Sequence, residues 1–241
     1  MSIPATDHIP TPLRRLTPLL FTVIGKGGES AALPGISDES FWWADTTGGV
    51  TGEEFTASTN FNPVQNDKTD PTKDVTGFPT KDFTGSYLLS SRFTLSAGEK
   101  LKVVATSLTA HSSPFTDIGF ALLMKNSQVA AVLSNTRPDG IKYIRDFGPL
   151  LGSVLVAPGP GVAVNEIKPK LSQIVVIGGA EYGRHDDPGY CQASDSCLIQ
   201  TTSVCTPGPG TYQLIFGAFN VRNNGLNGTR PTIIIVNSVT E

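Results

Sequence analysis

The side chains best suited to chemistry lie together in residues 181–190. The segment contains a glutamate, an arginine, a histidine, two aspartates and two tyrosines: Glu181, Tyr182, Arg184, His185, Asp186, Asp187 and Tyr190. Carboxylate and imidazole groups at this density can bind a divalent ion or serve as general acid and base. We therefore predict a ligand site here, with a hydrolase centre as a further hypothesis. The same residues also suit a solvated turn, because Asp187 precedes Pro188-Gly189, a pair that sets a tight turn.

Aromatic rings offer a second way to hold a ligand, because a flat ring can stack on the face of a sugar. Trp42 and Trp43 follow Phe41 in the sequence and predict one such platform. Tyr182 and Tyr190 predict another. Large aromatic residues in a β-sandwich are also ordinary core residues, so both interpretations stay open at this point.

Three cysteines lie close together in the sequence: Cys191, Cys197 and Cys205. A zinc site would need paired close spacings such as C-x2-C, which these positions lack. We predict a disulfide that ties a long loop, either Cys191 to Cys197 or Cys197 to Cys205, with the remaining thiol free or paired elsewhere. A disulfide implies an oxidising compartment. The alternative is three reduced thiols.

Residues 60–74 are rich in oxygen-bearing side chains. Calcium is held by about six to eight oxygen ligands, and a jelly-roll sandwich can hold a structural ion near one end. The spacing does not match an EF-hand loop, because the central glycine and the closing glutamate are missing. A structural Ca²⁺ ion is therefore one expectation, with its ligands unassigned.

Apolar alternation in the middle and at the end of the chain predicts β-strands joined by tight turns. In residues 85–124, a strand leads to a Ser-Ala-Gly-Glu turn, a second strand follows, and a continuous apolar run occupies 118–124. Further strands are expected at residues 128–133, 173–177, 211–220 and 232–239. No segment has a helical pattern. The predicted fold class is all-β, an antiparallel β-sandwich of the jelly-roll type with long loops and an extended N-terminal arm.

The domain organisation follows from where the strands begin. We predict a leader or extended arm in residues 1–40 and a single β-sandwich domain in residues 41–241. A long polar excursion occupies 44–84, with one short strand expected near Glu54.

The N-terminal segment has two interpretations. Arg14 and Arg15 precede the apolar run LTPLLFTVIG, which is the order of a signal peptide, and residues 30–32 supply small residues for cleavage. Against this, Pro18 interrupts the apolar run. The alternative is an extended arm or an edge strand of the sandwich.

The composition of the chain argues against a nucleic-acid partner and against a membrane-spanning helix. Only 16% of the residues are charged, the formal net charge is −3, and no basic block is present. Because phosphate binding needs clustered positive charge, we expect no nucleic-acid partner. No run approaches the roughly 20 apolar residues that a membrane-spanning helix needs, so no such helix is expected. The hydroxyl-rich, weakly charged composition favours an extracellular protein.

Three motifs resemble those of bacterial surface-protein sandwiches. They are the strand, Ser-Ala-Gly-Glu turn and strand at 93–103, the Gly-x-Tyr-x-Leu-x-Phe-Gly strand at 210–217, and the Asn-Ser-Val sequence at 237–239. Together they resemble the jelly-roll domains of carbohydrate-binding modules and of exosortase-sorted (PEP-CTERM) proteins. The resemblance covers residues 85–241 and implies a secreted jelly roll. It does not include the sorting tail of those proteins.

The sequence favours a secreted, non-catalytic sandwich that binds a glycan or another cell-surface polymer through its loops. A second hypothesis is a structural subunit of an extracellular filament or layer. In that case the N-terminal segment would add as a strand to the sheet of a neighbouring copy. The hydrolase hypothesis, using residues 181–190, is the third.

Overall fold

The structure, a computed structural model, confirms the predicted all-β sandwich. It describes residues 19–33, 39–61, 84–108, 117–136, 161–167, 175–182, 198–220 and 233–240. The elements within these ranges are, in chain order, β1 (Phe21–Ile24), β2 (Gly27–Ser30), β3 (Phe41–Asp45), β4 (Val50–Thr51), α1 (Gly52–Thr59), β5 (Thr84–Ser90), β6 (Phe93–Leu95), β7 (Leu101–Leu108), β8 (Asp117–Lys125), β9 (Gln128–Thr136), β10 (Ala163–Ile167), β11 (Val175–Ile177), β12 (Ala180–Tyr182), β13 (Leu198–Cys205), β14 (Gly210–Asn220) and β15 (Ile233–Thr240).

Two large antiparallel sheets face each other. The first sheet has the order β1-β5-β14-β8-β9, with β4 paired to β5 and β6 paired to β14. The second sheet has the order β10-β13-β7-β15-β3-β2. The hairpin of β11 and β12 forms a separate two-stranded sheet, which packs on the outer side of the second sheet.

The connections between the strands have the jelly-roll pattern. Eight strands make up this pattern: β3, β5, β7, β8, β9, β13, β14 and β15. Along the chain, the first of these pairs with the last, the second with the second-last, the third with the third-last, and the two middle ones with each other. All four pairs are antiparallel. This pattern arises when one long hairpin rolls up into two sheets.

Strand β14 shows why the central strands are continuously apolar. Leu214, Phe216 and Ala218 face the space between the two sheets, whereas Ile215 and Phe219 belong to a second cluster on the outer side. Both sets are buried. Because the strand is covered on both faces, its sequence reads as an apolar run rather than as alternation.

The cover on the outer side of the first sheet is helix α1, which corrects the prediction of a short strand near Glu54 and of a chain without helices. The helix begins at a capping box: the Thr51 hydroxyl accepts from the Glu54 backbone N–H at 3.1 Å, and Glu54 accepts from the Thr51 N–H at 2.9 Å. It ends at Asn60, which adopts the left-handed conformation (φ 54°). No helix in the described residues is long and apolar enough to cross a membrane.

The capping box predicts a contribution to stability that depends on pH. The Glu54 carboxylate accepts hydrogen bonds from the Thr51 backbone N–H and from the Thr51 hydroxyl. Both bonds lower the pKa of Glu54 below its ordinary 4.5, and the backbone bond has the larger effect. The stabilising contribution is therefore fully present above about pH 4.5, and it is lost as the pH falls through the lowered pKa. We expect Glu54→Gln to flatten the acid side of a plot of denaturation midpoint against pH. Glu53→Gln, an adjacent exposed control, should leave that slope unchanged.

The N-terminal strands belong to the sandwich, so the folded domain begins before the predicted residue 41. Strand β1 is the edge strand of the first sheet and pairs with β5 of its own chain. The Phe21 ring lies 5.8 Å from that of Trp42 and 5.8 Å from that of Phe216. Within the described residues, Phe21–Ile24 of the apolar segment thus form an edge strand of their own chain.

An ion pair between the buried Asp45 and the exposed Lys26 fixes the corner between β1 and β2. Asp45, at the end of β3, is 1% exposed, and its Oδ2 lies 3.0 Å from Lys26 Nζ. Its Oδ1 accepts from both the backbone N–H and the hydroxyl of Thr47, at 2.7 Å each. The Lys26 backbone N–H donates to Ser86 Oγ at 2.9 Å. These contacts tie the N-terminal strands to both sheets.

Candidate ligand-binding face

The outer side of the second sheet divides into an apolar half and a polar half. The hairpin of β11 and β12 covers the apolar half, where Val175, Ile177 and Tyr182 pack on residues of β3, β7 and β15. The polar half lies beside it on β7, β10, β13 and β15. It is the candidate functional site.

The aromatic residues of the apolar half correct part of the predicted sugar platform. Trp43 is 8% exposed and Tyr182 is 2% exposed. The turn of the hairpin lies directly on the indole, because a Cβ built on Gly178 would be 2.4 Å from the Trp43 ring. Neither ring has an open face in this structure, so neither can stack on a sugar.

Trp42 and Trp43 lie on opposite faces of the second sheet. Successive residues of a strand point to opposite faces, and Trp42 packs half-buried against the core between the sheets. Its ring lies against Phe21. The two tryptophans therefore do not form a shared platform.

The segment 181–190 is described only at its start. Glu181 is exposed and Tyr182 is buried in β12. The other predicted site residues lie outside the described residues: Arg184, His185, Asp186, Asp187 and Tyr190. No group of three or more metal-ligating side chains is found in the described part of the chain, and the segment 60–74 falls almost entirely outside it.

The cysteine prediction is corrected at one position. Cys205 is buried and its thiol is free. The predicted disulfide from Cys197 to Cys205 is therefore not formed. Cys191 and Cys197 lie outside the described residues, and their pairing stays a prediction.

The free thiol predicts a labelling pattern. Burial raises the pKa of Cys205 above its ordinary 9.0, so the reactive thiolate is scarce at about pH 8. We expect Cys205 to resist iodoacetamide in the folded protein and to react after unfolding in guanidinium chloride. Peptide mapping by mass spectrometry separates this cysteine from the other two. Equal labelling rates in the folded and unfolded protein would contradict the burial.

The polar half is organised by a hydrogen-bonded row across three adjacent strands. Thr106 on β7 is 0% exposed and donates from Oγ1 to Asn237 Oδ1 on β15, at 2.7 Å. Gln200 on β13 donates from Nε2 to Thr106 Oγ1, at 3.4 Å. The buried hydroxyl thus holds two half-buried amide side chains at fixed positions at the surface of the sheet.

The amide on β15 occupies its place because of a backbone irregularity. The pairing of β15 with β7 shifts by one residue between Val236 and Ser238. Asn237 is the extra residue, and it turns towards Thr106. Such bulges re-aim a side chain within a regular sheet, and here the bulge adds an amide to the row.

Further polar residues surround the row on the same side of the sheet. The strand registers place Thr202 beside Val104, Asn165 beside Thr202, and Lys102 beside Val204. Asn165 is exposed, and Thr202 and Lys102 are half-buried. We call the set the polar face; its members are Lys102, Thr106, Asn165, Gln200, Thr202 and Asn237.

The polar face presents mainly neutral donors and acceptors. Amides supply both donors and acceptors, hydroxyls supply one donor and two acceptors, and Lys102 adds one ammonium group. Such groups can exchange bound water for the hydroxyls of a ligand, and they favour neither sign of charge strongly. The chemistry therefore fits a neutral, hydroxyl-rich ligand lying across the strands.

Sequence reasoning missed this face, because its residues are far apart in the chain. Thr106 and Asn237 are separated by 131 positions, and Gln200 and Thr106 by 94. The available signal was a set of polar residues inside predicted strands, but the strand order that brings them together cannot be read from local pattern.

Comparison with known proteins gave no match to a family model, to a curated protein or to a solved structure.

Proposed function

We propose that the protein is a secreted, non-catalytic module that binds a neutral glycan at a cell surface. The observation that carries this proposal is the row of Gln200, Thr106 and Asn237, in which a fully buried hydroxyl fixes two half-buried amides on the second sheet. The binding surface is thus on strands, whereas the sequence pointed to loops and to aromatic stacking.

Preorganisation is the physical reason for choosing this face. A flexible exposed glutamine loses side-chain entropy when it binds a ligand, by about 0.5–1.5 kcal/mol. The bond to Thr106 has already restrained Gln200, so less entropy is lost. The remaining donors and acceptors of each amide are available to sugar hydroxyls.

The ligand class follows from the charge and shape of the face. Five of its six members carry amide or hydroxyl groups, and they lie on the four adjacent strands β10, β13, β7 and β15: Asn165, Thr202, Gln200, Thr106 and Asn237. Strands in a sheet are spaced about 4.8 Å apart, which is close to the length of one sugar ring, so successive rings can meet successive strands. A neutral polysaccharide chain fits this arrangement better than a compact anion, which would meet a single ammonium group.

The test is affinity electrophoresis of the full chain in gels that contain dextran, laminarin, galactomannan or xyloglucan. We expect retardation by at least one of these neutral polysaccharides, and a loss of about tenfold in affinity for Gln200→Ala, or roughly 1.4 kcal/mol. Gln128→Ala is the matched control, because Gln128 is an exposed glutamine on β9 of the other sheet. Migration unaffected by every polysaccharide, or equal losses in the two variants, would contradict the proposal.

A further inference from the structure

Within the described residues, the strand orders of the two large sheets end at four strands, and one of these differs from the other three. The edge strands are β1 and β9 in the first sheet, and β2 and β10 in the second. An open edge exposes unpaired backbone groups that can pair with another chain, and proteins blunt such edges with bulges or charges.

Three of the edges carry such features. Strand β9 has two register shifts against β8, which interrupt a regular edge. Strand β2 carries the exposed Glu29, and β10 contains Glu166. Strand β1, with the sequence FTVI, has a regular register and no charged residue. Its edge is the one without protection.

The backbone of β1 is oriented for pairing on its open side. The Leu20 carbonyl accepts from the Ser91 N–H at 2.7 Å, which directs Leu20 towards the β5 side. Residues of an antiparallel strand alternate in direction, so Thr22 and Ile24 also bond towards β5. Phe21 and Val23 therefore direct their N–H and C=O groups to the open side, where no described strand pairs with them.

We propose that two copies of the chain associate through this edge, with β1 pairing antiparallel to β1 of the second copy about a two-fold axis at Thr22. Phe21 of each copy then exchanges two hydrogen bonds with Val23 of the other. The first sheets of the two copies become one continuous sheet.

The side chains of β1 are complementary to themselves in this register. Leu20 is 69% exposed and would lie opposite Ile24 of the second copy, which gives an apolar pair on each side of the axis. The exposed Thr22 would meet its own copy at the axis, and both apolar and Thr–Thr cross-strand pairs stabilise sheets.

The absence of charged residues from β1 favours pairing of two copies at this edge over pairing at β2. Symmetric pairing through β2 would bring two copies of Glu29 close together, and like charges across strands destabilise a sheet. Strand β1 has no such conflict. Because β1 has only four residues, the interface would be small, and we expect a weak dimer with a dissociation constant on the order of 100 µM.

Sedimentation velocity of the full chain over a concentration series tests the inference. We expect the wild type to shift from monomer towards dimer as concentration rises, and Thr22→Lys and Thr22→Glu each to remain monomeric, because each places two like charges at the axis. An equimolar mixture of the two variants should form a dimer again. Thr94→Lys, at an exposed strand threonine on β6, should dimerise like the wild type.

The mixture distinguishes pairing at Thr22 from an indirect effect on folding. A wild type that stays monomeric at millimolar concentration overturns the inference. So does a Thr22→Lys variant that dimerises normally, or a mixture of the two variants that stays monomeric.

Discussion

Replacing Phe55 by alanine is expected to lower the free energy of unfolding by about 4 kcal/mol, in the range for a buried phenylalanine that leaves a cavity. Phe55 is 0% exposed. Its ring centroid lies 5.0 Å from that of Tyr87 and 5.2 Å from those of Phe120 and Phe219. It therefore joins α1 to aromatic side chains of β5, β8 and β14 on the outer side of the first sheet.

Denaturation by urea, followed by circular dichroism and by tyrosine fluorescence, measures this loss. Glu53→Ala is the control, since it changes the same helix at an exposed position two residues before the core residue. We expect the control to cost less than about 0.5 kcal/mol. If Phe55→Ala cost less than about 1 kcal/mol, the helix would not be part of the cooperative fold.

Replacing Gly217 by alanine is expected to cost about 3 kcal/mol, because the new methyl group has no space. A Cβ at this position would lie 2.1 Å from Cζ of Phe120 and 2.7 Å from both its Cε atoms. The ring lies flat over the bare backbone of β14, and any side chain must lift it out of the aromatic cluster. The glycine is required by the ring above it.

A double-mutant cycle identifies the clash as the cause. Phe120→Leu should be destabilising in the wild type but much less so beside Gly217→Ala, because the smaller side chain relieves the contact. Gly28→Ala is the neutral control: its added Cβ would meet only Trp43 Nε1, at an ordinary 3.8 Å. Strictly additive losses at Gly217 and Phe120 would contradict the packing described here.

The strands that could be predicted from local pattern are of two kinds. Some are buried on both faces, and others alternate regularly between apolar and polar residues. The apolar run at 118–124 is β8, and the strand predicted at 211–220 is β14, because burial on both sides dictates the residue type at every position. The pairing of these two strands agrees with the predicted sandwich. The fold class followed from local sequence for this reason.

Helix α1 was missed because it is short and lies in a polar setting. Eight residues are too few to show a helical period, and only one of them, Phe55, is a large buried apolar residue. The Thr-x-x-Glu signature at 51–54 was the available signal. What holds the helix is its contact with strands far away in sequence, which no local pattern contains.

The burial of Trp43 and Tyr182 and the make-up of the polar face could not be predicted for a related reason. Residue type alone could not predict that the hairpin of β11 and β12 covers Trp43, or that Tyr182 belongs to that hairpin. The polar face depends on strand order and on the bulge at Asn237. Both are decided by how distant strands pair.

The most direct test of the proposed binding site is chemical-shift mapping by nuclear magnetic resonance. Isotope-labelled full chain would be titrated with neutral cello-, laminari-, manno- and xylo-oligosaccharides. Binding at the polar face predicts shifts in backbone and side-chain amide signals at Gln200, Asn237 and Asn165, with little change in α1. Shifts confined to other surfaces, or no saturable shift with any of these sugars, would contradict it.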